Sequence, residues 1–291
     1  MATDNRPLFY PYLGARPDLG FIRISGVGIG NALFAYFHAS VLARLHNGSV
    51  VHPPWVSIKP LRLLTSFSTD RSYIGLFRRH PDDVSGWRKI LALARHRHAV
   101  FPAAGNPTIN PDALNIVLCP DLSFGVLRYH RPFVRERLLA IAKTSIEPTW
   151  GGGGYIGVHI RLGDFAAAPT GIQPGAAVNT RVPMEWYLDT IRAARARWPG
   201  LDVMIFSDGS DQELSPLIDA KYTVRRSKSD LDDLFGLAGS SVLIGSRSTF
   251  STWAAFLGDM PSVWPEGARG IEKPSSDATP WYFGDLDQPF A

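Results

Sequence analysis

His159, Arg161 and Asp164 stand within six residues of one another in the string Tyr155-Ile-Gly-Val-His-Ile-Arg-Leu-Gly-Asp-Phe. An imidazole and a guanidinium two positions apart point the same way when one extended strand runs through both. An arginine at the end of an apolar strand needs an anionic partner, and a phosphate serves as well as a carboxylate. Asp164 supplies an internal partner if the pair is a plain salt bridge; a bound anion is the reading favoured here.

A second candidate is Ser25-Gly-Val-Gly-Ile-Gly-Asn-Ala-Leu-Phe, placed between an expected strand and an expected helix. A helix N-terminus offers free N–H groups and a favourable dipole to an anion, and Gly28 and Gly30 let a ligand approach the backbone. The string is not a dinucleotide fingerprint, because Asn31 holds the place of the third glycine. A tight turn capped by Asn31 accounts for the same residues without a ligand.

The third group is spread over the last hundred residues. Asp208 follows a strand at the same sheet edge. Asp230, Asp232 and Asp233 cluster at a helix start, where carboxylates suit the dipole in any protein. Ser246-Arg247-Ser248-Thr249 lies between a strand and a helix, and its hydroxyls and N–H groups would suit a phosphate; simple capping by Ser248 or Thr249 is the alternative. The strings Asp230-Leu-Asp232 and Asp285-Leu-Asp287 read as a helix cap and a tail, and the seven histidines other than His159 show no metal spacing, so no metal site is expected. Cys119, the single cysteine, reads as a buried strand residue.

The elements that must position these residues alternate clearly in the second half. The pattern predicts strands at 155–160, 203–206, 222–224, 241–244 and 262–264, with helices at 184–197, 212–219, 231–238 and 249–257 between them. The first half predicts strands at 21–24 and 113–119, the start of another at 50–51, and helices at 31–45 and 132–143; residues 53–112 read as loops and short helices. The glycine-rich stretch 144–154 reads as a linker. The expectation is an α/β protein of two Rossmann-like domains, residues 1–148 and 149–291, facing a central cleft.

Composition narrows the classes. With 291 residues, 45% of them hydrophobic, the chain can build a sizeable core and is not disordered. A net charge of +4 from 30 basic and 26 acidic residues does not argue for nucleic acid. No apolar run is long enough to span a bilayer, although peripheral membrane contact stays open. The N-terminus lacks the pattern of a secretory signal, and a cytoplasmic protein is expected.

Taken together, Gly-Ile-Gly-Asn-x-x-Phe, His-Ile-Arg-x-Gly-Asp-Phe and Ser-Thr-Phe-Ser-x-Trp-Ala-Ala-x-Leu, in that order, resemble the alpha-1,2-fucosyltransferases and the wider superfamily with alpha-1,6- and protein O-fucosyltransferases. The resemblance implies a glycosyltransferase of the GT-B type, with GDP-fucose as donor, a glycan hydroxyl as acceptor, inversion at the anomeric carbon, no required metal and no further cofactor. It implies that the C-terminal half holds the donor while the N-terminal half helps build the acceptor side. Arg161 matches the family arginine on the donor diphosphate; His159 and Asp164 match its flanking positions, and Asn31 the asparagine near the reacting centre. Ser248, Thr249 and Phe250 match the donor-binding Ser-Ser-Phe segment, and Asp233 the acidic residue upstream of it. Leu162 departs from the second arginine of many alpha-1,2 enzymes, and Arg247 would supply the missing cation. Two alternatives keep the scaffold: another GDP-sugar as donor, or a catalytically silent protein that binds a nucleotide sugar or glycan.

Overall fold

A computed structural model describes residues 6–14, 18–24, 26–58, 73–102, 107–163, 165–167, 171, 179–284 and 286. The chain divides into two compact units, Met1–Lys143 and Thr144–Ala291.

The N-terminal unit contains β1 (Leu8–Pro11), β2 (Arg23–Ile24), α1 (Ile29–Leu45), β3 (Ser49–Val50), β4 (Ser57–Ile58), α2 (Gly86–Leu93), β5 (Arg97–Val100), β6 (Leu114–Val117), α3 (Gly125–Arg128) and α4 (Arg131–Ile141). Four strands form a parallel sheet in the order β3-β1-β6-β5, and β2 pairs with β4 as a separate parallel ribbon. Helix α1 is buried on nearly every side, from Ile29 to Ala43. That agrees with its sequence, which is apolar all round rather than along one stripe.

Three expectations fail in this unit. The first central strand is β1, not residues 21–24. Asp18 and Arg23 form an antiparallel bridge, and Leu19 N–H donates to the Ile22 carbonyl at 3.1 Å. Phe21 and Ile22 therefore sit on a tight exposed loop, leaving only Arg23 and Ile24 in β2. The segment 53–112 holds two strands, β4 and the longer β5, as well as α2; β5 is the one that joins the main sheet. Its sequence, Arg-His-Ala-Val, is that of a sheet edge with only Val100 buried, so the apolar signal is missing. Cys119 lies two residues beyond β6 and is half-buried, not a strand residue. Burial pushes its thiol up to about 12, so it stays protonated and unreactive at neutral pH.

The C-terminal unit contains β7 (Tyr155–Ile160), α5 (Met184–Arg197), β8 (Asp202–Ser207), α6 (Ser215–Asp219), β9 (Thr223–Arg225), α7 (Asp230–Gly239), β10 (Val242–Ile244), α8 (Thr249–Gly258), β11 (Ser262–Trp264) and β12 (Trp281–Phe283). All six strands are parallel, in the order β12-β11-β10-β7-β8-β9. The chain moves outward from β7 through β8 to β9, returns to β10, and moves outward again to β12. Strand order thus reverses between β7 and β10. In open α/β sheets the ligand crevice lies outside the carboxyl ends of the strands at such a reversal.

Strand β7 is central and buried on both faces. Ile156, Val158 and Ile160 are fully covered, and burying each contributes roughly 1.5–3 kcal/mol. Gly157 faces helix α7's end so closely that a Cβ would stand 2.9 Å from Ser240 Oγ. Register aligns Val158 with Ile244 on one side and His159 with Phe206 on the other. The ends of β7 and β8 are therefore level and β10 stops two residues short, and the connections that leave them emerge at one edge.

Candidate functional site

Three chain segments leave that edge. After β7 comes Arg161, whose Nη1 lies 2.5 Å from Asp208 Oδ2, just beyond β8. The other carboxylate oxygen of Asp208 accepts the Leu162 N–H at 2.8 Å. Asp208 thus fixes both the backbone and the guanidinium of the turn. The pair is only partly covered, with side-chain exposures of 22% and 18%, so an incoming anion can reach the arginine. Gly163 makes the arrangement possible: a Cβ there would meet Asp208 Oδ2 at 2.5 Å. Asp208 is thus a partner of Arg161 at the strand end. Asp164 itself lies outside the described residues, as does Ser25.

Leu162 turns the other way and packs in the core with Ile160 and Val182. An arginine could not occupy that place without leaving the apolar cluster. Arg247 lies half-buried in the turn between Ser246 and Ser248.

His159 projects from the end of β7 into a group of hydroxyls contributed by the β10–α8 connection. Its Nδ1 lies 2.6 Å from Ser251 Oγ, 3.1 Å from Ser246 Oγ and 3.5 Å from Ser248 Oγ. Ser251 Oγ also accepts the Ser246 N–H at 3.1 Å. Burial lowers the pKa of His159 to about 4, with the Asp208 charge opposing, and the ring is neutral at pH 7. Phe250 covers it, ring centroids 5.1 Å apart. Ser248 is the N-cap of α8, accepting the Ser251 N–H at 3.3 Å, and Thr249 is its first helical residue. Gly245, at the end of β10, has Trp264 lying against it, where a Cβ would come within 2.7 Å of the ring.

Asp233 sits in the first turn of α7, near the end of β9, at the outer side of the sheet. Its Oδ1 is buried without a hydrogen-bond partner. Burial, with Asp230 and Asp232 close by, raises its pKa to about 6 against the pull of Ser227 and Arg225. Strand β9 lies two strands from β7, roughly 10 Å at the usual spacing.

The structure therefore brings His159, Arg161, Asp208, Arg247, Ser248, Thr249 and Phe250 to one sheet edge and puts Asp233 farther along it. Gly28, Gly30 and Asn31 belong to the N-terminal unit. Gly28 is the N-cap of α1 and Gly30 and Asn31 fall in its first turn, so Asn31 is not the cap. A Cβ on Gly28 would find only the Tyr73 hydroxyl, at 4.0 Å. Gly26 is the glycine the turn demands, with φ of +121° and the Leu13 carbonyl 3.2 Å from where a Cβ would stand.

Two contributors are invisible in the sequence. Arg181 Nε donates to the carbonyls of Leu162 and Phe165 at 3.0 and 2.9 Å, while its Nη1 pairs with Glu213 at 2.9 Å. With the Ala166–Thr180 bridge it holds the turn that carries Arg161. Tyr187, on α5, is fully buried near Asp208; burial and that charge together disfavour its ionisation. A lone arginine before a helix and a tyrosine on an amphipathic face carry no spacing signal. Among the described residues, no group of three or more His, Cys, Asp or Glu side chains could hold a metal ion. None of the described helices is long and apolar enough to cross a membrane.

A parallel sheet whose strand order reverses at its centre, with cationic and hydroxyl groups gathered at that reversal, is an open α/β unit with its side-chain chemistry at the place where such sheets carry a ligand crevice. In sequence, residues 138–264 match the model of glycosyl transferase family 11. The match spans every element from β7 to β11, somewhat less than half of the chain, and is in keeping with the glycosyltransferase resemblance of its motifs. No curated protein matches the chain significantly. Among solved structures, the alpha-1,6-fucosyltransferase NodZ soaked with GDP-fucose is similar at 16% identity and a TM-score of 0.45, over 88% of this chain and 93% of that one. The fucosyltransferase NodZ from Bradyrhizobium is similar at 15% and 0.43, over 88% and 94%. POFUT1 in complex with GDP-fucose is similar at 12% and 0.43, over 97% and 99%. With TM-scores below 0.5, these likenesses carry no weight for the function of this chain.

Proposed function

We propose that the chain transfers fucose from GDP-fucose to a hydroxyl of a glycan acceptor, with inversion and without a metal ion. The observation that carries the reading is Arg161, held by Asp208 beside the hydroxyl-lined start of α8, at the strand reversal of the unit that matches the glycosyltransferase family.

Departure of a nucleoside diphosphate builds negative charge on the leaving oxygens, and preorganised donors lower that barrier. Arg161 is fixed in advance by Asp208 and reaches the diphosphate as a charge-assisted donor, worth about 1.5–3 kcal/mol. The Ser248–Phe250 turn adds the N-terminal dipole of α8, and Arg247 a second cation. Asp233, whose pKa near 6 still leaves it mostly ionised at pH 7, is the acceptor for N–H or O–H groups of the nucleoside. His159 is a positioning residue: a neutral, buried ring that ties β7 to the β10–α8 turn is a poor base. The acceptor proton falls to Asp164, and an oxocarbenium-like transition state asks little of it. Gly28, Gly30 and Asn31 are assigned to the acceptor side with the rest of the N-terminal unit.

Calorimetric titration with GDP, GDP-fucose, GDP-mannose and UDP-glucose in EDTA tests this. GDP and GDP-fucose should bind and the uridine nucleotide should not. Binding of GDP-mannose alone would move the donor, and no binding of any nucleotide would sink the reading.

A further inference from the structure

The N-terminal unit wears part of its apolar surface outside. Among the described residues, six of the twelve exposed large apolar side chains fall in two short segments, Leu19, Phe21 and Ile22 in the loop before β2 and Trp87, Ile90 and Leu91 on α2. Trp87 is 67% exposed and Leu19 61%. The loop meets the helix on the side of Lys89 and Leu93: Lys89 Nζ stands 4.7 Å over the Phe21 ring, and the Leu93 side chain fills the space where Gly20 would carry a Cβ.

Helix α2 is turned inside out. Trp87, Ile90 and Leu91 are spaced i, i+3, i+4, so they share one face, and that face meets solvent. The positions it buries are Lys89 and Ala92. Lys89 is held there by the His52 carbonyl, to which its Nζ donates at 2.5 Å. Scattered exposed leucines need no explanation, but a contiguous face with Trp at its edge does.

Charge selects what covers it. From Gly86 to His98 the chain has Arg88, Lys89, Arg95 and Arg97 and no carboxylate. Arg88 lies 5.8 Å from the Trp87 ring centroid, at the rim of the apolar face. The acid on the neighbouring loop, Asp18, is engaged by the Tyr10 hydroxyl and the Gly20 N–H. A projecting apolar loop and an apolar helix face with Arg88 at its rim match the interface of an anionic bilayer, where aromatic and aliphatic side chains enter the headgroup region and cations meet lipid phosphates. We propose that this surface docks the protein on an anionic phospholipid membrane.

The test is co-sedimentation of the full chain with vesicles of phosphatidylcholine alone or with about 30 mol% phosphatidylglycerol, a typical anionic fraction for surface attraction. The protein should pellet with the anionic vesicles and be released by high salt. The combined variant Phe21→Ser, Ile90→Ser, Leu91→Ser should bind at least about tenfold more weakly. The pair Arg88→Glu, Arg95→Glu, at exposed positions where the fold is not at stake, should lose the preference for anionic vesicles. A wild-type chain that stays in the supernatant with both vesicle types would overturn the proposal. So would a dimer that the serine variant abolishes while vesicle binding is absent, since the face would then belong to a second copy. Neither arm depends on which donor the C-terminal unit binds.

Discussion

Each unit carries a close arginine–aspartate pair, and the two pairs are built for different purposes. In the C-terminal unit Arg161 and Asp208 are about a fifth exposed, on turns after adjacent strands. In the N-terminal unit Arg137, on α4, pairs with an Asp83 that is wholly covered. Tyr36 donates to the same carboxylate at 3.2 Å, and Arg137 lies 5.3 Å over the Tyr36 ring. The sealed pair has no room for a ligand. The open pair has one carboxylate spent on orientation and a guanidinium that solvent can reach. The same two residue types thus serve packing where burial is complete and leave a guanidinium within reach of solvent where it is not.

Removing the arginine from each pair would separate those roles. Arg137→Ala leaves Asp83 buried without its cation, and the N-terminal unit should lose about 3–5 kcal/mol in urea unfolding. Donor affinity per folded molecule should hold. Arg161→Ala should lower transfer by about 10²–10³-fold at saturating donor, with the melting temperature unchanged. An Arg161→Ala protein that turns over normally would erase the distinction.

The comparison extends to two buried histidines, one in each unit. Burial lowers both His38 and His159 to about 4. In the unfolded chain each has a pKa near 6.5, so between about pH 6.5 and 4 the unfolded state binds protons that the folded state refuses. Stability is full above that window and falls as pH drops through it, by about 2 kcal/mol for each ring at pH 5. Urea titrations at pH 7 and pH 5 should show His38→Gln and His159→Gln each reducing the acid loss. Only His159→Gln should also alter donor binding, because only its ring holds the β10–α8 turn.

The smallest effect sharpens the geometry of the open pair. Gly163→Ala places a methyl against the Asp208 carboxylate, which must shift by some tenths of an ångström. Transfer should fall by about tenfold, because small misplacements of a charge-stabilising donor are costly. An unchanged rate would mean that Asp208 does not aim Arg161.

The units also differ in how legible they are along the chain. In the C-terminal unit apolar strands alternate with amphipathic helices, and that pattern marks every element from β7 to β11, with α5 to the residue. The strand-end positions of His159, Arg161, Asp208 and Ser248 follow from it. Strand β12 falls outside the pattern because no α-helix stands between it and β11, so the alternation has already ended. In the N-terminal unit β1 is four residues with a proline at its end, β5 is polar, and the Phe21–Ile24 run that reads as a strand is half exposed loop. Short strands give period-two alternation no room to show. Partners in space stay hidden too: nothing along the chain says that Arg161 meets Asp208, or that Arg181 fastens the turn.

That fastening separates the length of a loop from the position of a turn. Ala166 and Thr180 are bridged, and Arg181 clamps the chain on the near side of the bridge. The segment between the bridged residues leaves and returns at one point. Lengthening such a loop costs little, about 0.6 kcal/mol for each doubling. A change in the number of residues between 167 and 179 should therefore cost little stability while Ala166, Thr180 and Arg181 keep the turn that carries Arg161 in place.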